Sequence, residues 1–221
     1  MKEGVYGTEW QVHGGGFYHV QKYLVAPTDL PSELIWFRWE AYLTWISGFA
    51  LLVLQYYLQA DAYLIDPDVA DLSPAIAIII SVVSLVAGWF IYDRLLCRTA
   101  IGERPLTLAV AVFLLVVIGA LVFQFVFSGR GALIHVGALI GTIMAANVFL
   151  VIIPNQRKIA KSLLAGEPPD PAHGAMSKQR SVHNNYLTLP VLLFMVSNHY
   201  PLLATHGQIW LVVALILAQV V

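Results

Sequence analysis

The sequence predicts an all-α integral membrane helical bundle, with five complete transmembrane helices and a sixth truncated at the C-terminus. Two observations carry that prediction. Apolar residues make up 59% and charged residues only 11% of the 221 residues, and mean hydropathy is +0.75; soluble domains run nearer half apolar and a quarter charged. The apolar residues also gather into unbroken blocks near the roughly 20 residues that cross a hydrocarbon core. In lipid the alternatives are helices and closed barrels, and blocks this long, without strict alternation, exclude a barrel.

Residues 1–34 are polar and glycine-rich, with Gly14-Gly15-Gly16 followed by Phe17-Tyr18-His19. They read as an inner-side interfacial segment with aromatic residues at the headgroups. Pro27 and Pro31 then break the chain. The transmembrane bundle occupies 35–221, with apolar blocks at about 35–58, 74–96, 106–127, 132–153, 183–200 and 208–221. The fifth block is the shortest, and Pro190 inside it removes a backbone hydrogen bond and predicts a kink. The sixth is still apolar at Val221, as expected of a fragment. A basic inner loop, 154–182, joins the fourth and fifth blocks; Pro168-Pro169-Asp170-Pro171 forbids helix there, while 155–165 has room for a basic amphipathic turn or two.

Orientation follows from Lys and Arg in the short connections. The connection after the first block holds Asp61, Asp66, Asp68 and Asp71 and no basic residue; the next holds Arg94, Arg98 and Arg104; the long loop holds Arg157, Lys158, Lys161, Lys178 and Arg180. Alternation places the N-terminus in the cytoplasm of a bacterial inner membrane, with only Arg130 on the disfavoured side. A net charge of -1 excludes the basic face that a nucleic-acid partner requires. A single cysteine, Cys97, excludes an internal disulfide and a cysteine metal cluster. Neither CxxCH nor HExxH occurs, and residues 1–16 lack the apolar core of a signal peptide.

Polar groups inside a span need a partner or a purpose. The topology sorts the histidines into two levels: His135 and His199 near the outer face, and His183, His13 and His19 near the inner one. His183 and His199 are 16 residues apart, about 24 Å along a helix, so they cannot share an ion. Two readings stay open. In one, His135 and His199 hold a b-type haem between facing helices, with Gly131, Gly137 and Gly141 allowing close approach. In the other they are interfacial residues bonded to headgroups or backbone, as are His173 and His206 in loops. Asn147 and Thr142 read as interhelical hydrogen-bonding residues. Arg38, Glu40, Asp93 and Arg94 read as snorkelling or mutually paired side chains. Trp36, Trp39, Tyr56, Tyr57 and Trp89 read as an interfacial aromatic belt.

Glu9-Trp-Gln-Val-His-Gly-Gly-Gly-Phe-Tyr-His-Val-Gln-Lys-Tyr23 resembles the membrane-bound, cytochrome c-linked urate oxidase family. So do Trp36-Phe-Arg-Trp-Glu40, Ile152-Ile-Pro-Asn-Gln156, His183-Asn-Asn-Tyr-Leu-Thr-Leu-Pro190 and Ser197-Asn-His-Tyr-Pro201. The resemblance implies a membrane domain followed by a cytochrome c domain, and oxidation of urate to 5-hydroxyisourate with electrons passed to the cytochrome. This sequence departs from that pattern at both ends: the family's helix before the HGGGFYH motif and its cytochrome c domain are absent, so the cytochrome haem is expected on the missing domain or on a partner. Under the resemblance, His183 or His19 serves as base. Asn184, Asn185 and Gln21 offer amides to the purine, and Lys22, Arg38 and Arg180 hold the anion. A haem b on His135 and His199 would lie on the electron-exit side. Polar helix ends and a buried Asn would equally suit a transporter, or a cofactor-free anchor subunit that docks a cytochrome.

Overall fold

A computed structural model describes residues 5–23, 33–205 and 207–218. The expectations for Pro27, Pro31, His206 and residues 219–221 fall outside the described residues, as does the side chain of His13.

The chain opens with a β-hairpin, which corrects the all-α expectation. β1 (Val5–His13) pairs antiparallel with β2 (Gly16–Tyr23). Gly14 and Gly15 make the two-residue turn at φ of 58° and 80°, the left-handed backbone that a tight hairpin turn needs and that glycine adopts without Cβ strain. Trp10, Val12, Phe17 and His19 share one face, with Trp10 stacked on His19 at 4.5 Å.

The rest is helical. α1 (Trp39–Leu52) runs into a π-helical turn at Val53–Tyr57, and the short α2 (Ala60–Tyr63) follows. α3 (Pro74–Phe90) is capped by the Ser73 hydroxyl, which accepts from the Ile76 amide, and ends in a second π turn, Ile91–Cys97. α4 (Pro105–Gln124) is followed by α5 (Gly129–Ala146), which passes through a third π turn, Asn147–Ile152, into α6 (Ile153–Leu164). α7 (Pro171–Val196) ends in the tight turn Ser197–His199, before α8 (Pro201–Ala204) and α9 (Ile209–Ala218).

Three continuous helices are long and apolar enough to cross a membrane: Pro74–Cys97, Pro105–Gln124 and Gly129–Leu164. The expected five complete spans are not found, and the reason lies in composition. α1 and its π turn carry Glu40, Thr44, Ser47, Gln55, Tyr56 and Tyr57. The first half of α7 carries Lys178, Arg180, His183, Asn184 and Asn185, leaving a short apolar stretch. α9 has 10 described residues. The expected inner loop, 154–182, is instead mostly helix. Proline has no N–H and crowds the carbonyl four residues back; Pro154 sits in the first turn of α6, just after the π turn has widened the backbone. Helix breaks only at the Pro-rich 165–170, where Asp170 accepts from the Ala172 amide to start α7.

α4 shows how the bundle faces its surroundings. Leu108, Val112, Val116 and Ala120 are buried, while Leu106, Val110, Leu114 and Ile118, spaced by four, are exposed. Both faces are apolar, as in a helix set between a protein core and a nonpolar medium. α5 is the centre, packed against α1, α3, α4 and α7. Such contacts depend on close packing, which small residues allow. Gly137 supplies it: a Cβ there would lie 3.0 Å from Phe194 Cβ. Tyr56 and Trp89 are 1% and 8% exposed, so they belong to this core and not to an interfacial belt.

Candidate functional site

Two polar layers lie inside the apolar bundle. The first is built by α3 and α5. Ser81 Oγ stands 2.6 Å from His135 Nε2 and 2.6 Å from the Tyr57 hydroxyl, and His135 Nδ1 stands 2.7 Å from the Gly131 carbonyl oxygen. The Gly131 acceptor fixes the proton on Nδ1, so Nε2 accepts from Ser81, which in turn accepts from Tyr57. Phe127, Phe123 and Tyr56 ring the imidazole at 4.4, 5.7 and 6.3 Å. His135 and Ser81 are both fully buried.

The second layer forms about three turns further along the same helices, where the π turns of α3 and α5 rotate Tyr92, Asp93 and Asn147 into the core. Such turns insert one extra residue and recur at functional sites. Across from them, α7 presents Arg180, His183 and Asn184. The Tyr92 hydroxyl lies 2.6 Å from His183 Nδ1 and accepts from the Asn147 amide at 3.0 Å. Asn147 also donates to Asn184 Oδ1 at 3.1 Å, and Asn184 donates to the Met144 carbonyl at 3.0 Å. Beneath this network Arg180 donates to Asp93 Oδ1 at 2.8 Å with both side chains fully buried, and Arg98 donates to Asp93 Oδ2 at 2.8 Å. Arg94 completes the charge cluster at 3.5 Å from Asp93, and the Arg180 guanidinium lies 5.2 Å over the Tyr92 ring. Gln179 accepts from Arg180 and donates to the Gly102 carbonyl, tying α7 to the connection between α3 and α4.

The layer can do acid–base work. In the tautomer that donates from Nδ1 to Tyr92, the Nε2 lone pair of His183 is free, and no protein partner occupies it among the described residues. Tyr92 and Asn147 then hold the ring in place, as a positioned base requires.

Of the residues singled out from sequence, this layer unites His183, Asn184 and Arg180. Asn185 is exposed on the other side of α7. His19, Gln21 and Lys22 lie on the hairpin, where His19 stacks on Trp10 and Gln21 accepts from Tyr23; their ring and hydrogen-bond contacts stay within it. Arg38 lies over the Trp39 ring at 5.8 Å. Tyr92 carried no sequence signal, since a tyrosine in an apolar run looks like core; Asp93 carried one, as a carboxylate at the end of a span.

The haem b expected between His135 and His199 does not fit these residues. An axial imidazole must offer iron a free lone pair, and both nitrogens of His135 are engaged by Ser81 and Gly131. His199 is exposed on the turn after α7. Among the described residues, no group of three His, Cys, Asp or Glu side chains is placed to hold a metal ion.

These features define a class: a protein of membrane-length helices with a buried, charged acid–base cluster toward one end. More particularly, the chain belongs to the urate oxidase N-terminal family, whose sequence model matches residues 1–221. No curated protein and no solved structure matches it.

Proposed function

We propose that the protein is the membrane-embedded domain of a urate oxidase and that oxidation takes place at the Tyr92–His183 layer. The observation that carries the reading is the His183–Tyr92–Asn147–Asn184 network set against the Asp93–Arg180 ion pair. Family membership supports urate as substrate. The three membrane-length helices and the outward Leu and Val residues of α4 support a place in the bilayer.

Urate and water give 5-hydroxyisourate, two protons and two electrons. His183 Nε2 takes a proton from the purine, and the Tyr92 oxygen steadies the resulting imidazolium through Nδ1. Arg180 supplies positive charge for a monoanionic substrate. The electrons leave singly to cytochrome c, carried on another domain or another protein. Arginine at this layer and in the adjoining connections, with the acidic 61–71 connection at the opposite end, supports a cytoplasmic side for substrate entry.

The test uses membranes containing the full chain, supplied with urate and ferricytochrome c. Stoichiometric loss of urate and reduction of two cytochromes per purine are expected. Urate accumulation in sealed vesicles without oxidation would replace this reading with a transporter.

A further inference from the structure

Among the described residues, Asn147 Oδ1, Asn155 Nδ2, Ser177 Oγ and Arg180 Nε are buried polar atoms without a hydrogen-bond partner, as is Trp89 Nε1. Three of them lie on α6 and α7, which pack against each other: Asn155 on α6, Ser177 and Arg180 on α7. Gly137 faces Phe194, Gly141 faces Val191 and Asn147 bonds to Asn184. Continuing that antiparallel register along α6 sets Asn155 opposite Ser177. Ser177 precedes Arg180 by three residues, on one face of α7. Asn155, Ser177 and Arg180 are 7%, 6% and 0% exposed.

The three free groups have one chemistry in common. Asn155 Nδ2 and Arg180 Nε are donors only, and the Ser177 hydroxyl can donate. The surrounding charge points the same way. Among the described residues, Asp93 is the one carboxylate against the cations of Arg94, Arg98 and Arg180, so the cluster is positive overall. A buried donor without an acceptor weakens the fold, and three of them beside a surplus of positive charge are the chemical complement of an anion with several acceptor atoms.

We propose that Asn155, Ser177 and Arg180 form an anion subsite between α6 and α7, which takes a small anion with adjacent acceptor oxygens. Under the proposed function, on which this assignment of ligand rests, that anion is urate, with its oxygen-bearing edge toward the three donors and its reacting ring toward His183. Inorganic phosphate offers the same acceptor chemistry.

The experiment measures binding of urate and of inorganic phosphate by equilibrium dialysis to the full chain in lipid nanodiscs, alongside the Tm of the unliganded protein. Wild type is compared with Ser177→Ala and Asn155→Leu. Anion affinity is expected to fall about tenfold in each variant, the usual effect of deleting one hydrogen bond to a charged group. Unliganded Tm is expected to hold or rise, because the deleted group had no partner. Phosphate binding that depends on both residues, with no urate binding, would keep the subsite and remove urate from the proposed function. The subsite is overturned if wild type binds neither anion, if both variants bind as wild type does, or if weaker binding comes only with a lower Tm.

Discussion

The His135 layer and the His183 layer are built from the same helices and begin from similar residues, yet they differ in completeness. Around His135 the chain Tyr57–Ser81–His135–Gly131 closes on itself, with aromatic rings against the imidazole. Around His183 there are formal charges, a free ring nitrogen and buried groups without partners. Among the described residues, five buried side-chain polar atoms lack a hydrogen bond, and all belong to Trp89, Asn147, Asn155, Ser177 or Arg180. None belongs to the His135 layer. A closed neutral network fixes how helices meet; an open charged one has capacity left for a ligand. A histidine's place within a span therefore says little about its role, whereas the state of its second nitrogen says a good deal.

The contrast can be broken by substitution. Asp93→Asn should have the largest effect on stability, a loss of about 3–5 kcal/mol, because it leaves the fully buried Arg180 without its counter-charge. Denaturation in mild detergent reads this directly, and a loss below about 1 kcal/mol would mean that solvent or another group compensates Arg180. Next comes His135→Leu, which takes away the acceptor of the Ser81 hydroxyl and leaves it only its bond with Tyr57, and should cost about 1–3 kcal/mol. Urate turnover per folded molecule should be unchanged, and adding Ser81→Ala should recover part of the loss. Trp45→Phe should have the smallest effect, about 0.6 kcal/mol, since it deletes the 3.1 Å bond from Trp45 Nε1 to Thr142, on the stretch of α5 between the layers, and keeps an aromatic ring beside Phe49. A loss as large as that of His135→Leu would show that the layers are coupled through α1.

Much of this was legible in the residues. Apolar length announced α3, α4 and α5, and the two-level sorting of histidines separated His135 from His183 but gave them His199 and His19 as companions, which join neither layer. The pair His183-Asn184 and the lone Arg180 were visible as polar groups where an apolar helix was starting. Other features were not legible for specific physical reasons. The hairpin hid because glycines at 14–16 read equally well as loose chain until a pairing register exists. The helix through Pro154 hid because a π turn, which has no known residue pattern, absorbs the proline. Asp93 read as a snorkelling or locally paired carboxylate because its buried partner, Arg180, lies 87 residues away in sequence. Whether His135 is a ligand or a hydrogen-bonded residue stayed open, because a sequence cannot show that Ser81, on another helix, holds its ring.

The central claim is that His183 acts in the reaction while His135 builds the bundle, and one paired measurement tests it. Urate-dependent cytochrome c reduction is compared between His183→Gln and His135→Gln in membranes, with each rate normalised to folded protein. The account predicts a loss of about 10²–10⁴-fold for His183→Gln, the range for removing a general base, and a normalised rate within about twofold of wild type for His135→Gln. A full rate in His183→Gln, or the larger loss in His135→Gln, would contradict it.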